Sequence, residues 1–341
     1  MAQGNMESWV GKDKLVVQTM IKPSRSDFYM VNLRDNKVTK LGGGFLWNHN
    51  IRYGLIAAGS VIYAIGNPRN KIEKPVHVDD DDDNHFQSGT SFLDLDDPNG
   101  SWKDLGGMLN CYRPSPCCAS LGDKIFVFGA DIGTPRWCFG EYYDKKDGCW
   151  LPVPMSGIKH QLNIDTHIIS DPDHNRLLAY FHSSLYAYYP EDKHRWDCLD
   201  NNMLSWSGEP APSPVDGVLY FLICNPETFN DCITAYDLRT RESLEVSWSS
   251  SSPFGPKILH QLRVSQMLHL GGNILCFTHT QFGDEDPTHP PPRRKSLWEY
   301  YRFQVDRDSQ QQNKGQVTIH LIQFLKTYPK GRGKLYGGRR I

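Results

Sequence analysis

Glu141-Tyr-Tyr-Asp-Lys-Lys-Asp-Gly-Cys-Trp150 and Ala187-Tyr-Tyr-Pro-Glu-Asp-Lys-His-Arg-Trp196 are two copies of one pattern. In each, a Tyr precedes a Trp by seven positions: Tyr143 and Trp150, then Tyr189 and Trp196, 46 residues on. A third copy, 48 residues before the first of these, has Leu95 and Trp102 in the same places. A fourth keeps Tyr236, 47 residues after Tyr189, and lacks the Trp. A strand ending in Tyr, a short polar turn and a strand starting near Trp make a hairpin. Residues paired across a hairpin share one face of the sheet, so both rings can pack on the same neighbour. Asp147-Gly148 and Pro98-Asn99-Gly100 supply suitable turn chemistry.

Upstream of each hairpin lies a strongly apolar run. There are six: Leu15 to Val17, Val61 to Ile65, Ile125 to Phe128, Leu177 to Phe181, Val218 to Ile223 and Ile274 to Phe277. Gly122-Asp123, Asp216-Gly217 and Gly271-Gly272-Asn273 lead into three of them. Continuous apolar runs of strand length suit strands buried on both faces. Each unit then holds four short strands over about 47 residues and cannot bury its own faces, so the units must pack on one another. The expected fold is all-β: a six-bladed β-propeller of four-stranded antiparallel blades, one domain over residues 1–341.

The composition agrees with that reading. The 29 Gly and 22 Pro show no collagen-like period and punctuate many turns. Thirty-seven Lys and Arg against thirty-nine Asp and Glu give a net charge of −2, which offers no basic excess for nucleic acid. No apolar run approaches the roughly 18 residues that span a bilayer, and the first residues lack the apolar stretch of a signal peptide. The nine cysteines (111, 117, 118, 138, 149, 198, 224, 232, 276) are odd in number and form no CxxC pair. They read as reduced thiols of a cytoplasmic or nuclear protein.

The order apolar strand, Gly, Tyr, six residues and Trp resembles the kelch repeat. The third unit is the best copy, from Arg113 through Ala119, Gly122, Ile125 to Phe128 and Gly129 to Tyr143 and Trp150. The resemblance runs from about Lys14 to about Leu325. The kelch double glycine is reduced to Gly66-Asn67 and Gly129-Ala130. Units one, five and six keep the pattern only as apolar strands. A propeller of the WD type fits less well, because no Trp-Asp dipeptide ends a repeat. The resemblance implies a propeller of the galactose oxidase type, similar to those of plant F-box/kelch proteins. An F-box needs a helical segment ahead of the first blade, and the first blade is expected by about Lys14, so a ligase-adaptor role is not expected. In such a propeller Trp102, Tyr143, Trp150, Tyr189, Trp196 and Tyr236 are inter-blade packing residues.

Strand order sharpens the functional reading. Turns between strands one and two, and between three and four, fall at one end of the strands. They are short: Asp35-Asn36, Gly122-Asp123, Lys145 to Gly148, Asp216-Gly217 and Arg239 to Arg241, with Asp306 to Gly315 the exception. Connections at the other end are long. Asn67 to Gly89 contains the acidic run Asp79 to Asp83, Thr280 to Lys295 contains Pro290 to Lys295, and Ser247 to Gly255 links two units. Loops carry function more often than scaffolds do, so the loop-rich end is the expected binding face. Arg52, Arg113 and Arg263 each begin an expected innermost strand at that end, with His49 and Tyr112 beside them. Guanidiniums there suit an acidic peptide or a small anion. The basic C-terminal segment 326–341 is expected to be a tail or to supply the first strand of the first blade.

No HExxH, GxSxG, phosphate loop or dinucleotide loop occurs, and the sialidase Ser-x-Asp-x-Gly-x-Thr-Trp signature is absent. His77, Asp81 and His85 sit four apart, but His77 stands where the iron motif of some kelch enzymes has Glu. No catalytic residue, metal site or cofactor is expected. The expected function is a monomeric, non-enzymatic module that binds a protein segment through its loop-rich face, with no nucleic-acid or membrane partner. The alternative is a propeller enzyme with a metal or a small anionic substrate at the central channel.

Overall fold

A computed structural model describes residues 10–11, 14–22, 25–34, 37–46, 54–68, 88–97, 100–109, 116–129, 140–154, 167–181, 184–201, 209–210, 214–225, 230–249, 265–282, 296–308 and 316–327. Among these residues the chain is all-β. They contain no α-helix, and a single 3-10 turn is described, Pro172–His174. The strands form consecutive antiparallel meanders of four. Meander I is β1 (Val10–Gly11), β2 (Lys14–Lys22), β3 (Arg25–Asn32) and β4 (Lys37–Leu46). Meander II is β5 (Gly54–Ala58), β6 (Val61–Pro68), β7 (Ser88–Asp94) and β8 (Lys103–Gly107). Meander III is β9 (Cys117–Leu121), β10 (Lys124–Phe128), β11 (Gly140–Asp144) and β12 (Cys149–Pro152). Meander IV is β13 (His167–Asp171), β14 (Arg176–Phe181), β15 (Ser184–Tyr189) and β16 (Arg195–Asp200).

Meander V is β17 (Glu209–Pro210), β18 (Val218–Asn225), β19 (Asn230–Asp237) and β20 (Glu242–Trp248). Meander VI is β21 (Ser265–Gly271), β22 (Ile274–Phe282), β23 (Ser296–Asp308) and β24 (Gln316–Thr327). These last two are not separate. Their outer strands β20 and β24 pair in parallel, Glu245 opposite Gln316 through Trp248 opposite Ile319, and make one eight-stranded sheet.

The chain divides into two compact units. One holds residues 1–17, 29–40 and 203–341; the other holds 18–28 and 41–202. In the second unit, β5, β9 and β13 are neighbours, so the first strands of meanders II, III and IV lie side by side. Serine hydroxyls stitch them: Ser120 Oγ donates to the Ala57 carbonyl at 3.1 Å, and Ser170 Oγ donates to the Ser120 carbonyl at 2.6 Å.

All six apolar runs are second strands, each flanked by two neighbours in its own sheet. In the five runs after β2 the patterning reflects burial on both faces. In β10, Ile125 and Val127 join a core with Tyr63, Ile65, Met108 and Trp150, between meanders II and III. Phe126 and Phe128 point the other way, into a core with Leu177, Ala179, Tyr186, Tyr188 and Trp196, between III and IV. In the first unit β22 repeats the arrangement. Leu275 and Phe277 pack with meander V, while Cys276 packs with Tyr29, Val31 and Leu33. Alternate side chains of a strand take opposite faces, so a strand covered on both sides has no polar positions to spare.

Two expectations need correction. Val10–Gly11 pairs with Leu15 and Lys14 as the first strand of meander I, ahead of the start expected at about Lys14. Residues 326 and 327 end β24, and 328–341 lie outside the described residues. The second correction concerns register. Tyr143 pairs with Trp150 as expected, but Trp196 pairs with Tyr188, and Tyr189 pairs with Arg195. Residues 145–148 close the first hairpin and 190–194 the second, one residue more. One extra turn residue moves each partner to the opposite face.

Candidate interaction site

Each meander has a turn end and a connection end. At the turn end the chain reverses tightly, and the same device recurs. Asn32, Asp94, Asp144 and Asp237 each end a third strand and accept from the backbone N–H two residues on, at 2.9, 3.0, 2.9 and 2.8 Å. A side chain that replaces a backbone acceptor fixes the reversal. At Asp237, burial works against the charge. The Arg239 and Thr240 amides and the paired Arg307 guanidinium outweigh it and hold the pKa below the ordinary value.

Turn residues also reach across to the neighbouring meander. The Lys145 ammonium stands 6.0 Å over the Tyr63 ring of meander II. Burial, partly offset by Asp123, lowers the Lys145 pKa. Lys124 pairs with Glu191 of meander IV and stands 5.8 Å over Tyr142. Within meander IV, Asp171 is fully buried and accepts from Arg176 Nε at 2.7 Å and from His174 Nδ1 at 3.0 Å. Burial opposes the Arg176 charge, but the Tyr189 hydroxyl and Asp171 outweigh it and raise its pKa. Among the described residues, no group of three or more His, Cys, Asp or Glu side chains is placed to hold a metal ion.

The connection end is built differently. Strand bounds leave residues 69–87 between β6 and β7 and residues 283–295 between β22 and β23. The five residues expected to bind a partner, His49, Arg52, Tyr112, Arg113 and Arg263, lie outside the described residues. The strand bounds still fix where the arginines fall in the chain. Arg52 and Arg263 stand two residues before the first strands β5 and β21, and Arg113 stands four before β9.

The described part of this end is tightly held. Glu141, buried at the start of β11, accepts from the Leu109 amide at 2.7 Å and so fixes the link from meander II to III. Met108 is buried beside it, while Leu109 leaves 54 % of its surface exposed. Gly54 opens β5 against β9. A Cβ there would stand 2.3 Å from Cys118 Sγ, so any side chain would force the two strands apart.

The six packing residues take distinct places. Trp150 is buried between meanders II and III, with Tyr143 at 5.5 Å. Trp196 is buried between III and IV, against Tyr188 at 4.6 Å and Phe128 at 6.2 Å, and its Nε1 donates to the Pro154 carbonyl at 3.0 Å. Tyr189 sits instead under the Arg195 guanidinium at 4.6 Å and accepts from Arg176 Nη1 at 3.2 Å. Tyr236 is buried opposite Ser243, and Trp102 is half-buried just before β8. Sequence reading passed over the Asx turns and Glu141. The signal for the turns is present as an apolar residue followed by Asn or Asp: Val31-Asn32, Leu93-Asp94, Tyr143-Asp144 and Tyr236-Asp237.

No family profile matches the chain, and no curated protein matches it. Among solved structures, the chain is similar to the following two. The protein YjhT is 10% identical with a TM-score of 0.47, over 84% of this chain and 93% of that one. A Bacteroides thetaiotaomicron protein described as of unknown function is 10% identical with a TM-score of 0.49, over 81% of this chain and 68% of that one. Among the described residues no helix is long and apolar enough to cross a membrane.

Proposed function

We propose that the chain is a six-bladed, kelch-like β-propeller that binds a protein segment through its connection end and catalyses no reaction. The observation that carries this reading is the asymmetry of the strand connections. The turn end is closed by Asx turns and by clasps between neighbouring meanders. The connection end combines first strands held in place with the long intervals 69–87 and 283–295. A rigid frame with variable loops at one end is the usual layout of a recognition surface. In this reading Arg52, Arg113 and Arg263 grip carboxylates of the partner, and His49 and Tyr112 flank them.

The free thiols of Cys149, Cys198 and Cys276 support a reducing compartment, the cytoplasm or nucleus. We read the protein as a monomer there. The test replaces residues 69–87 and 283–295 with short Gly-Ser turns in one variant and Arg52, Arg113 and Arg263 with Ala in another. Both are expected to melt with the parent and to lose the proteins that the parent captures, as identified by mass spectrometry. Identical captured sets overturn the reading.

A further inference from the structure

The turn between β15 and β16 carries side chains that partner binding does not use. His194 Nδ1 lies 2.5 Å from the Tyr188 hydroxyl, and the two rings stack at 6.0 Å. Tyr188 is fully buried, so its hydroxyl proton needs an acceptor, and a neutral imidazole supplies one. Tyr142 of meander III also lies against His194, at 6.1 Å. Glu191 of the same turn pairs with Lys124 of β10. The turn is therefore clasped onto meander III by one ion pair and by one imidazole that contacts a tyrosine of each meander. It is held under strain, since Lys193 and His194 take φ of 49° and 55° in succession, a conformation unfavourable to side-chain-bearing residues.

We propose that this clasp is proton-sensitive: protonation of His194 releases the β15–β16 turn from meander III. A protonated imidazole donates from both nitrogens and cannot accept the Tyr188 proton. Its charge also meets the Lys124 ammonium. The other titratable groups against it are Tyr188 on β15, Tyr142 on β11 and Glu191 on the turn itself, with Asp144 and Cys149 acting on Tyr142. Glu191 attracts the cation but is already engaged by Lys124. Burial first, then the Lys124 charge, sets the His194 pKa below the ordinary 6.5, with Glu191 pulling it back in part.

The folded form thus binds the proton less readily than the unfolded turn. The clasp is complete above about pH 6.5 and is lost as the pH falls through the lower folded value. Once it opens, the two left-handed residues can relax.

The test measures hydrogen exchange of the Arg195 amide, which donates to the Asp192 carbonyl at 3.0 Å across this turn. The full chain is compared at about pH 7.5 and about pH 5, after correction for intrinsic rates. Protection at Arg195 is expected to fall at least about tenfold at the lower pH, with β14 unchanged. His194→Asn keeps an acceptor near Nδ1 but does not titrate, so its exchange is expected to be independent of pH. Equal protection of the parent chain at both pH values overturns the proposal. So does a pH response that survives in His194→Asn. A His194 ring that titrates at or above 6.5 by NMR overturns it independently of any variant.

Discussion

Two seams between neighbouring meanders are built from opposite materials. Between III and IV the joint is made of side chains. Phe126 meets Tyr188 edge-on at 5.9 Å, Phe128 meets Trp196 at 6.2 Å, and Trp196 Nε1 reaches the Pro154 carbonyl. Between V and VI the outer strands themselves hydrogen-bond in parallel, and the Ser249 amide extends the contact to the Ile319 carbonyl at 3.0 Å. Trp150 opposes Tyr143 and Trp196 opposes Tyr188, but Ser243 opposes Tyr236. Tyr236 and Ser243 face away from meander VI; Ala235 and Leu244 face it, in the core that holds Phe277 and Phe303, and along that seam β20 joins β24. Trp248, five residues further along β20, packs edge-on against Phe303 at 5.5 Å. One seam is therefore closed by side chains and the other by the backbone.

The sharpest way to break this contrast is to truncate each Trp. Trp196→Ala removes a buried indole and orphans a carbonyl, and is expected to cost about 3–5 kcal/mol in urea unfolding. Trp248→Ala, at a half-buried site beside an intact ladder, is expected to cost less than half of that. Equal losses would show that both seams depend on their indoles. Proline inverts the order. Val317 lies in β24 between β20 and β23, so Val317→Pro deletes a ladder hydrogen bond and buried packing together. A loss of about 2–3 kcal/mol is expected. If the urea midpoint does not move, the parallel ladder contributes nothing.

How far the sequence predicts this contrast depends on what each seam is made of. The side-chain seam is legible, because Tyr143, Trp150 and Trp196 recur at fixed spacing and the apolar runs announce strands covered on both faces. The backbone seam is not. Parallel pairing of β20 with β24 joins residues about 70 apart, and nothing in Glu245 to Trp248 marks it, since ladder bonds involve no side chain. Register failed for a related reason. Tyr189 and Tyr188 are the same residue type, and one extra turn residue decided which of them faces Trp196. The strand at Val10–Gly11 escaped notice because two residues carry no period at all. At the connection end, the long intervals could be read from the sequence, whereas Glu141, which holds the Leu109 amide, looked like an ordinary charged residue in an apolar strand.

The seams also differ in their ion pairs. Asp237 is buried and pairs with Arg307 across V and VI, whereas Glu191, the partner of Lys124 across III and IV, is mostly exposed. Asp237→Asn is expected to cost about 1.5–3 kcal/mol near neutral pH, and Lys124→Ala at most about 1 kcal/mol. The folded pKa of Asp237 is lowered, so the unfolded chain takes up its proton first as the pH falls. Its contribution is complete above the ordinary aspartate value of 3.8 and drains away below it. The gap in melting temperature between the parent and Asp237→Asn is therefore expected to close as the pH drops through that range. A gap that stays constant would mean that the pair is held by shape and not by charge.

The smallest effect bears on the seams nearest the first strands. Ser120 Oγ binds the Ala57 carbonyl and Ser170 Oγ binds the Ser120 carbonyl, so each serine joins its own first strand to the one before. Ser120→Ala leaves the Ala57 carbonyl short of a donor in a half-buried place and is expected to cost about 1 kcal/mol. Ser170→Ala is expected to cost about the same. The two hydroxyls bond different carbonyls, so the double variant should lose the sum. A double loss clearly below the sum would mean that the first strand of meander III shifts to recover one bond when the other is gone. The aromatic seam would then be a set of side chains packed on a movable frame, and the rigid comparison with the ladder of β20 and β24 would fall.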